Sequence, residues 1–283
     1  MNNRRNKIYP YLLVAAAVAA LFILLNHRPE RAAKGPVKTP PARQARRPAP
    51  SMRPRPAAPK ARVAIIIDDL GQDIDALRGV LELPAPVAVS VLPGLVHSED
   101  CARRARAAGR EVLLHLPMEA KDGNRLGPGG LVGGMDAGEV EETVRRDLES
   151  VPGAAGVNNH MGSALTGDKA AMRAVMEALK GRGLFFVDSR TSPGSVAYET
   201  ATGLGIRAGS RAVFLDDSDA PAQIRKQLGR LSRIALRKGK AIAIGHPRPA
   251  TLAALRDELP VLRDKGIAVV RVSELLDRTE GTK

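Results

Sequence analysis

The chain of 283 residues carries a formal net charge of +14 at pH 7, and a chain of this length builds one large domain or two modest ones. The charge is concentrated near the N-terminus: residues 1–26 carry +3, residues 27–60 carry +9, and residues 61–283 carry only +2. Because no helical basic stripe or aromatic-interleaved patch accompanies this tail, nucleic-acid binding is not expected. Cys101 is the only cysteine, which excludes an intrachain disulfide.

Residues 8–25 form an uncharged apolar segment that follows Arg4, Arg5 and Lys7. A helix of this length spans about 27 Å, which is enough for a thin bilayer. The basic start of the chain predicts a cytoplasmic tip and export of the rest. A cleaved signal peptide is the alternative, but residues 26–30 offer no small-x-small cleavage site. We therefore expect residues 1–26 to be a tip and transmembrane anchor, with the globular domain exported across a bacterial inner membrane to the periplasm or outer face.

Residues 27–60 contain nine prolines and ten lysines or arginines, with almost nothing to bury. This composition is typical of an extended, disordered linker. Clustered basic residues beside a membrane are attracted to anionic headgroups, so the linker could also lie on the lipid surface. The globular domain is then expected over residues 61–283.

From residue 61 onward, short apolar runs alternate with amphipathic helical patterns. The apolar runs cover residues 63–67, 87–92, 111–116, 156–158, 184–187, 213–215, 241–244 and 267–270, and the helical patterns lie near 73–82, 98–109, 136–150, 168–182, 219–238 and 250–265. Strands that alternate with helices predict an α/β fold with a mainly parallel sheet, either open or closed into a barrel. The glycine-rich segment 123–134 lacks the strand-then-helix context of a phosphate loop and is interpreted as a surface excursion.

The first apolar run ends in two adjacent carboxylates, Asp68 and Asp69. A continuous apolar run predicts a strand buried on both faces of a parallel sheet. Neighbouring side chains on a strand point to opposite sides, so one aspartate could bind a metal while the other takes a proton from water. The alternative is a loop pair that caps the following helix.

Three histidines and a further aspartate also follow predicted strands. His115 follows 111–114, His160 follows 156–159, Asp188 follows 184–187 and His246 follows 241–245. Since the carboxyl ends of parallel strands meet at one edge, these side chains are expected to converge with the aspartate pair. Imidazole and carboxylate together suit zinc or a similar divalent ion with an open position for water. His97 lies in a helix-entry segment and is taken as structural.

Residues 61–276 resemble the divergent polysaccharide deacetylase family, relatives of the carbohydrate esterase family 4 deacetylases. The matching segments, in the family's order, are Ile67-Asp68-Asp69-Leu70-Gly71, Leu114-His115-Leu116-Pro117-Met118-Glu119, Gly156-Val157-Asn158-Asn159-His160-Met161-Gly162-Ser163, Val187-Asp188-Ser189-Arg190-Thr191 and Ile242-Ala243-Ile244-Gly245-His246-Pro247. The resemblance implies a distorted (β/α) barrel of about seven mainly parallel strands.

The resemblance also implies roles for the catalytic residues. The first aspartate of the pair, Asp68, corresponds to the general base and the second, Asp69, to a metal ligand. His246 matches the position of the general acid. Asp188 resembles the residue that would hold a catalytic side chain in orientation.

The metal set implied by the resemblance differs from the family's usual pattern at one position. Family 4 enzymes supply two histidines spaced His-x-x-x-His, whereas this chain has His115 followed by Glu119. The second ligand is therefore replaced or lost, and His160 could take it over. We expect Asp69, His115 and His160 to hold a divalent metal, with zinc as the expected ion and Glu119 as a further metal or site residue.

The function implied is metal-dependent removal of N-acetyl groups from an envelope carbohydrate, such as a peptidoglycan-related N-acetylated glycan. The alternative is a catalytically inactive deacetylase-like module that binds a glycan or an envelope protein, since aromatic residues make up only 2% of the chain and sugar clefts commonly use aromatic platforms. A third possibility is a scaffold that works mainly through the basic, proline-rich linker.

Overall fold

The computed structural model describes residues 58–276. The chain divides into two units, Met1–Arg55 and Pro56–Lys283, and the description covers the second. The predicted anchor and nearly all of the predicted linker lie outside the described residues, so both stay predictions. Within residues 58–276, every helix is too short or too polar to span a bilayer.

The described residues contain nine strands that pair in parallel throughout. The strands are β1 (Ala61–Leu70), β2 (Ala88–Val91), β3 (Val112–Met118), β4 (Gly156–Met161), β5 (Phe185–Asp188), β6 (Ala208–Ser210), β7 (Val213–Phe214), β8 (Lys240–Gly245) and β9 (Ile267–Val269). Their order is β6-β5-β4-β3-β2-β1-β8-β7, and β9 also pairs with β1. The predicted parallel α/β fold is confirmed. The resemblance implied about seven strands and nine are described; the apolar runs predicted all of them except β6, which consists of small residues.

Helices return the chain between successive strands. They are α1 (Ile74–Leu81), α2 (Ser98–Ala107), α3 (Ala137–Ser150), α4 (Lys169–Leu179), α5 (Ala197–Gly203), α6 (Pro221–Lys238), α7 (Pro249–Asp264) and α8 (Val272–Leu275). Their limits follow local chemistry: Asp136 and Glu139 form a capping box at the start of α3. Gly239 ends α6 in the left-handed conformation, with φ of 80°, that glycine adopts without steric cost.

The sheet curls because its two outermost strands are neighbours in the chain. β6 ends at Ser210 and β7 begins at Val213, although they stand at opposite ends of the strand order. The two intervening residues bridge the gap: the Arg211 N–H donates to the carbonyl of Asp188 over 2.9 Å, and the Ala212 N–H donates to the carbonyl of Ile242 over 2.8 Å. Because so short a link joins β6 to β7, the two ends of the sheet must come close together, and the sheet curls into a half-barrel.

The alternation of side chains along β1 separates two apolar layers. Val63, Ile65 and Ile67 belong to the core between the sheet and the helices, whereas Ala64 and Ile66 face the barrel interior. Burial of both faces explains the unbroken apolar run in the sequence. Val272 and Leu275 of α8 pack into the interior layer and close the barrel at the amino ends of the strands. The carboxyl ends are left to build the site.

Candidate active site

The strand register brings most of the predicted residues to one edge of the barrel. Ile67 of β1 pairs with Gly245 of β8, so Asp68 and His246 follow neighbouring strands at the same level. His115 of β3 pairs with Asn158 of β4, two residues before His160. We call this edge, formed by the carboxyl ends of the strands, the catalytic edge.

Asp69, His115 and His160 form a triangle of potential ligand atoms. Asp69 Oδ1 lies 3.2 Å from His115 Nε2 and 3.1 Å from His160 Nδ1, and the two nitrogen atoms are 3.2 Å apart. A tetrahedral ion with ligands at about 2.0–2.1 Å separates its ligand atoms by about 3.3 Å. The triangle therefore has the size of one face of a zinc site. Within residues 58–276, these three side chains form the group of histidine and carboxylate ligands whose atoms lie close enough together to hold one metal ion.

Hydrogen bonding around His115 directs a lone pair into this triangle. His115 Nδ1 lies 3.0 Å from Asn158 Oδ1, and since an amide oxygen only accepts, Nδ1 carries the proton. In neutral His115, Nε2 is then the free lone pair, as in a metal-ligating histidine whose other nitrogen is held by an outer partner. Asp69 Oδ1 is buried and lacks a hydrogen-bond partner among the described residues. An anionic oxygen facing two imidazole nitrogens requires a cation or extra protons, and the donor set fits a divalent metal.

The electrostatics of the triangle also favour a cation. Burial alone would raise the pKa of Asp69, but the close approach and charge of the His115 and His160 imidazoles bring it well below its usual range. Burial alone would lower the pKa of His115, but the carboxylates of Asp68 and Asp69 outweigh this and raise it. The carboxylate is thus kept ionised, while the buried imidazole is drawn toward positive charge.

Backbone strain is concentrated at the catalytic edge. In the described part of the chain, three residues other than glycine have positive φ: Asp69 at 58°, Met161 at 52° and Arg190 at 50°. Each follows or ends a strand of the same edge, and each such conformation costs about 1–3 kcal/mol.

The interpretation of the aspartate pair as a helix cap is wrong, because the residue that caps α1 is Asp73.

Asp68 lies beside the triangle as a buried carboxylate with a single strong donor. Its side chain is 3% exposed, and its Oδ1 accepts a hydrogen bond of 2.9 Å from Asn158 Nδ2. Burial raises the pKa of Asp68 above its ordinary value, and the charge of Asp69 adds to this, against the lowering effect of His115. A carboxylate with a raised pKa is a better proton acceptor near neutral pH.

His246 forms a pair with Asp216, an acid that the sequence analysis did not single out. His246 Nδ1 lies 2.9 Å from Asp216 Oδ1, and Asp216 Oδ2 accepts from Thr251 Oγ1 over 2.7 Å and from the His246 N–H over 2.8 Å. Burial alone would lower the pKa of His246, but its bond to Asp216 and the charges of Asp216 and Asp69 raise it. His246 Nε2 points into the site, 3.7 Å from Asp69 Oδ2.

Comparison with known proteins is consistent with this arrangement. A sequence model described as "divergent polysaccharide deacetylase" matches residues 65–276. The chain belongs to this family. It is 39% identical over 219 residues to the uncharacterized protein YibQ of Escherichia coli (strain K12), covering 77% of this chain and 68% of that one. It is 38% identical over 197 residues to an uncharacterized protein of Haemophilus influenzae, covering 70% of each.

The family fold is also present in a solved structure. The crystal structure of the uncharacterized protein ATU2773 from Agrobacterium tumefaciens C58 superposes on this chain with a TM-score of 0.74 at 29% sequence identity. The similarity covers 79% of this chain and 92% of the Agrobacterium chain. The solved relative therefore consists almost entirely of this domain.

Asp188 lies at the catalytic edge, but its carboxylate is bonded within its own loop. Its Oδ1 accepts from the Arg190 N–H over 2.8 Å and its Oδ2 from Ser195 Oγ over 2.9 Å. The carboxylate that is hydrogen-bonded to His246 is that of Asp216, not that of Asp188. The signal for Asp216 was available, because it follows the apolar run 213–215 as the other site residues follow theirs.

The Glu119 carboxylate is bonded to the glycine-rich segment. Its Oε2 accepts a hydrogen bond of 2.6 Å from the Gly133 N–H, and its backbone carbonyl accepts from Ala164 and Leu165. Glu119 thus ties the glycine-rich segment to the turn after β4, and the group of potential ligands does not include it. The glycine-rich segment 123–134 is mostly exposed and lies on the surface, as expected.

Proposed function

We propose that this protein is a metal-dependent hydrolase that removes acetyl groups from the amide nitrogen of an N-acetylated envelope carbohydrate. The observation that carries the proposal is the position of two proton-transfer groups around the metal triangle. Asp68 Oδ2 lies 3.5 Å from His115 Nε2, and His246 Nε2 lies 3.7 Å from Asp69 Oδ2. A set of metal ligands with a proton acceptor and a proton donor beside it supplies the groups that metal-assisted hydrolysis of an amide uses.

Asp69, His115 and His160 would hold the divalent ion, for which zinc is our choice. When bound, such an ion lowers the pKa of its water and polarises a carbonyl group. Asn158 positions both the base and one ligand, since its Nδ2 donates to Asp68 and its Oδ1 accepts from His115. The amide thereby keeps the Asp68 carboxylate and the His115 imidazole in one fixed relation.

The proton transfers fall to two residues of the chain. Asp68 accepts a proton from the attacking water, for which its raised pKa is suited. His246 donates a proton from Nε2 to the departing amine, because its Nδ1–H is held by Asp216. The raised pKa of His246 keeps this proton in place near neutral pH.

One observation favours the alternative of an inactive module that binds a glycan or an envelope protein. Of the aromatic residues within 58–276, Phe185 and Phe186 are fully buried, and Phe214 stacks on His246 and under Arg211. Tyr198, the fourth, is half-buried. A broad aromatic platform for a long sugar chain is therefore missing from the described residues. We favour the enzyme, since a binding module has no use for the Asp68 base and the His246–Asp216 pair.

We further propose that residues 1–26 anchor the protein in a bacterial inner membrane with this domain outside the cytoplasm. The support is the uncharged apolar segment 8–25 and its preceding basic residues. An exported domain would meet envelope carbohydrates and other envelope proteins, which are the partners proposed here.

The test is metal content together with acetate release. Purified protein is analysed by mass spectrometry for metals and incubated with N-acetylated chitooligosaccharides and with peptidoglycan. We expect about one divalent ion per chain, lost in Asp69→Ala and His115→Ala, and acetate release that needs the ion. His97→Ala is the control, since His97 at the start of α2 makes no side-chain capping bond.

Two results would count against the enzyme. A protein that stays metal-free after incubation with zinc would exclude the metal-dependent mechanism. A protein that binds the ion and the glycan but releases no acetate would favour the inactive module.

A further inference from the structure

Opposite the catalytic edge lies a face that we call the basal face, formed by the amino ends of the strands. It contains a pocket of about 300 Å³ between the starts of β3 and β4, lined by Arg106, Arg110 and Arg271 together with Glu111 and Gly153. The chain enters the domain on this face, where the Lys60 N–H donates to the carbonyl of Gly266 over 2.8 Å. The basic linker therefore meets the domain on the side where the arginine pocket opens.

Within residues 58–276, none of the three pocket arginines forms an ion pair, and the one carboxylate in the lining, Glu111, accepts a hydrogen bond from the Ser273 N–H. Arg110 donates to the carbonyls of Ala85, Leu81 and Leu83, which are neutral acceptors, and its Nε is buried without a partner. Within residues 58–276, the Arg106 side chain has neither an ion pair nor a hydrogen bond, unlike that of Arg104 on the same helix, which pairs with Asp100 at 2.8 Å. The pocket thus presents two exposed guanidinium groups, those of Arg106 and Arg271, that can receive an anion, while Arg110 adds its positive charge behind them.

The approach to the pocket is fixed by the backbone. Gly153 has φ of 76°, and a Cβ at this position would collide with the Arg106 guanidinium. The guanidinium therefore lies directly over the Gly153 backbone. Arg271 is exposed and reaches the carbonyl of Gly109 from its Nη2 over 3.4 Å, so most of its donors face outward.

The two faces of the domain also differ in charge. Helices that return the chain between parallel strands begin at the catalytic edge and end at the basal face. Their first turns carry acids, such as Asp75 in α1 and Glu139 in α3, while the last turns of α2, α6 and α7 carry Arg106, Lys238 and Arg263. Helix dipoles account for this pattern in general, but they do not require a pocket of unpaired arginines.

We propose that the arginine pocket binds the phosphate group of anionic phospholipids, so that the basal face lies on the membrane and the catalytic edge faces away from it. Guanidinium groups bind phosphate oxygens bidentately, and basic residues near an anionic bilayer are attracted to it. Residues 27–60 carry +9, and the last of them, Lys60, is bonded on the same face as the pocket. This inference concerns the described domain itself and does not depend on hydrolysis.

The test measures binding of residues 56–283 to lipid vesicles by co-sedimentation. This fragment is one compact unit, and the related Agrobacterium chain, 92% covered by the similarity, crystallised as little more than this domain. We expect binding to vesicles of phosphatidylcholine mixed with phosphatidylglycerol, no binding to phosphatidylcholine alone, and weakening by salt. The double variant Arg106→Ala/Arg271→Ala should bind about 30-fold more weakly, since each basic residue contributes about 1 kcal/mol.

The matched control removes two positive charges from the opposite edge. Lys121 and Arg125 are exposed in the glycine-rich segment, and the variant Lys121→Ala/Arg125→Ala should keep vesicle binding. Unchanged thermal unfolding shows that both variants are folded. If both double variants lost vesicle binding equally, net charge alone would explain the binding and the proposal of a lipid-binding pocket would be wrong. If the fragment bound inorganic phosphate to saturation but did not bind vesicles, the lipid proposal would be wrong and the pocket would be a site for a soluble anion.

Discussion

The side-chain amide of Asn158 donates a hydrogen bond of 2.9 Å to Oδ1 of Asp68, and both residues are buried. The same amide accepts from His115 Nδ1 at 3.0 Å and from Ser90 Oγ at 2.6 Å. One buried polar group thus fixes the candidate base and a candidate ligand together. Buried networks of this kind are rigid when every member is satisfied, and costly when one is removed.

This network predicts that Asn158→Ala weakens metal binding. His115 would lose the partner that keeps its proton on Nδ1, and loss of an outer-shell partner lowers metal affinity by about 10–100-fold. The measurement is a competition titration against a chelator for zinc. The control is Ser189→Ala, because Ser189 makes only a long contact of 3.4 Å with Asn158. Equal affinities in wild type and Asn158→Ala would show that the amide does not orient the ligand.

The pairing of His246 with Asp216 predicts a loss of turnover without loss of metal. In Asp216→Asn the carboxylate that holds the His246 imidazole and raises its pKa is removed. General acid catalysis contributes about 10²–10⁴-fold, so kcat should fall by a large part of that factor. Metal content should equal that of the wild type, because neither residue belongs to the triangle.

The informative comparison is with Asp188→Asn, at the same edge but bonded to Arg190 and Ser195. That variant should disturb its loop and affect KM and stability more than kcat. If Asp188→Asn lowered kcat while Asp216→Asn did not, the assignment of the orienting residue would have to be reversed.

The position of Glu119 predicts an effect on its loop and none on the metal. Glu119→Gln weakens the bond from the Gly133 N–H to Oε2, since a neutral acceptor replaces a charged one. Trypsin should then cut more rapidly after the exposed Lys121 and Arg125, while the metal content stays the same. Loss of the ion in this variant would restore Glu119 as a ligand. Glu139→Gln, which changes the capping box of α3, is a control with a similar charge change at a different site.

The sequence predicted the elements whose local pattern matches their final environment. β1 is buried on both faces, so its apolar run identified it, and α1, α3 and α7 have clear caps or periodic apolar faces. β6 has the sequence Ala-Gly-Ser and is a strand only because β5 is beside it. Strands that are defined by a partner rather than by their own residues cannot be found from local pattern.

The site was predicted in its position more than in its contacts. Strand-end placement correctly brought Asp69, His115 and His160 together, because parallel strands share one carboxyl edge. The same rule does not give the direction of a side chain, so Asp188 and Asp216 could not be distinguished. Asn158 lies within a strand and is 0% exposed, and a polar residue in a buried strand was the available sign of its role.

A last prediction concerns Asp147, a buried acid far from the proposed chemistry. It lies on α3 beneath the glycine-rich segment, where a Cβ at Gly129 would collide with its carboxylate. Its Oδ2 has no hydrogen-bond partner among the described residues. Burial raises the pKa of Asp147 to about 7, against the opposing charge of Arg146. The folded protein therefore binds a proton here that the unfolded chain, with an ordinary carboxyl pKa of 3.8, releases earlier.

The sign of the pH dependence follows from that difference. Between about pH 4 and pH 7 the folded state holds more protons, so the free energy of unfolding falls as the pH rises and is lowest above pH 7. Asp147→Asn mimics the neutral acid, so its gain in stability over wild type should be small at about pH 4, larger at pH 5 and largest at pH 8. One pKa unit corresponds to about 1.4 kcal/mol, which sets the least gain expected in urea unfolding. The control is Glu141→Gln, which changes an exposed acid on the same helix and should show no such difference. If the difference in unfolding free energy between Asp147→Asn and wild type were the same at pH 5 and pH 8, Asp147 would be solvated.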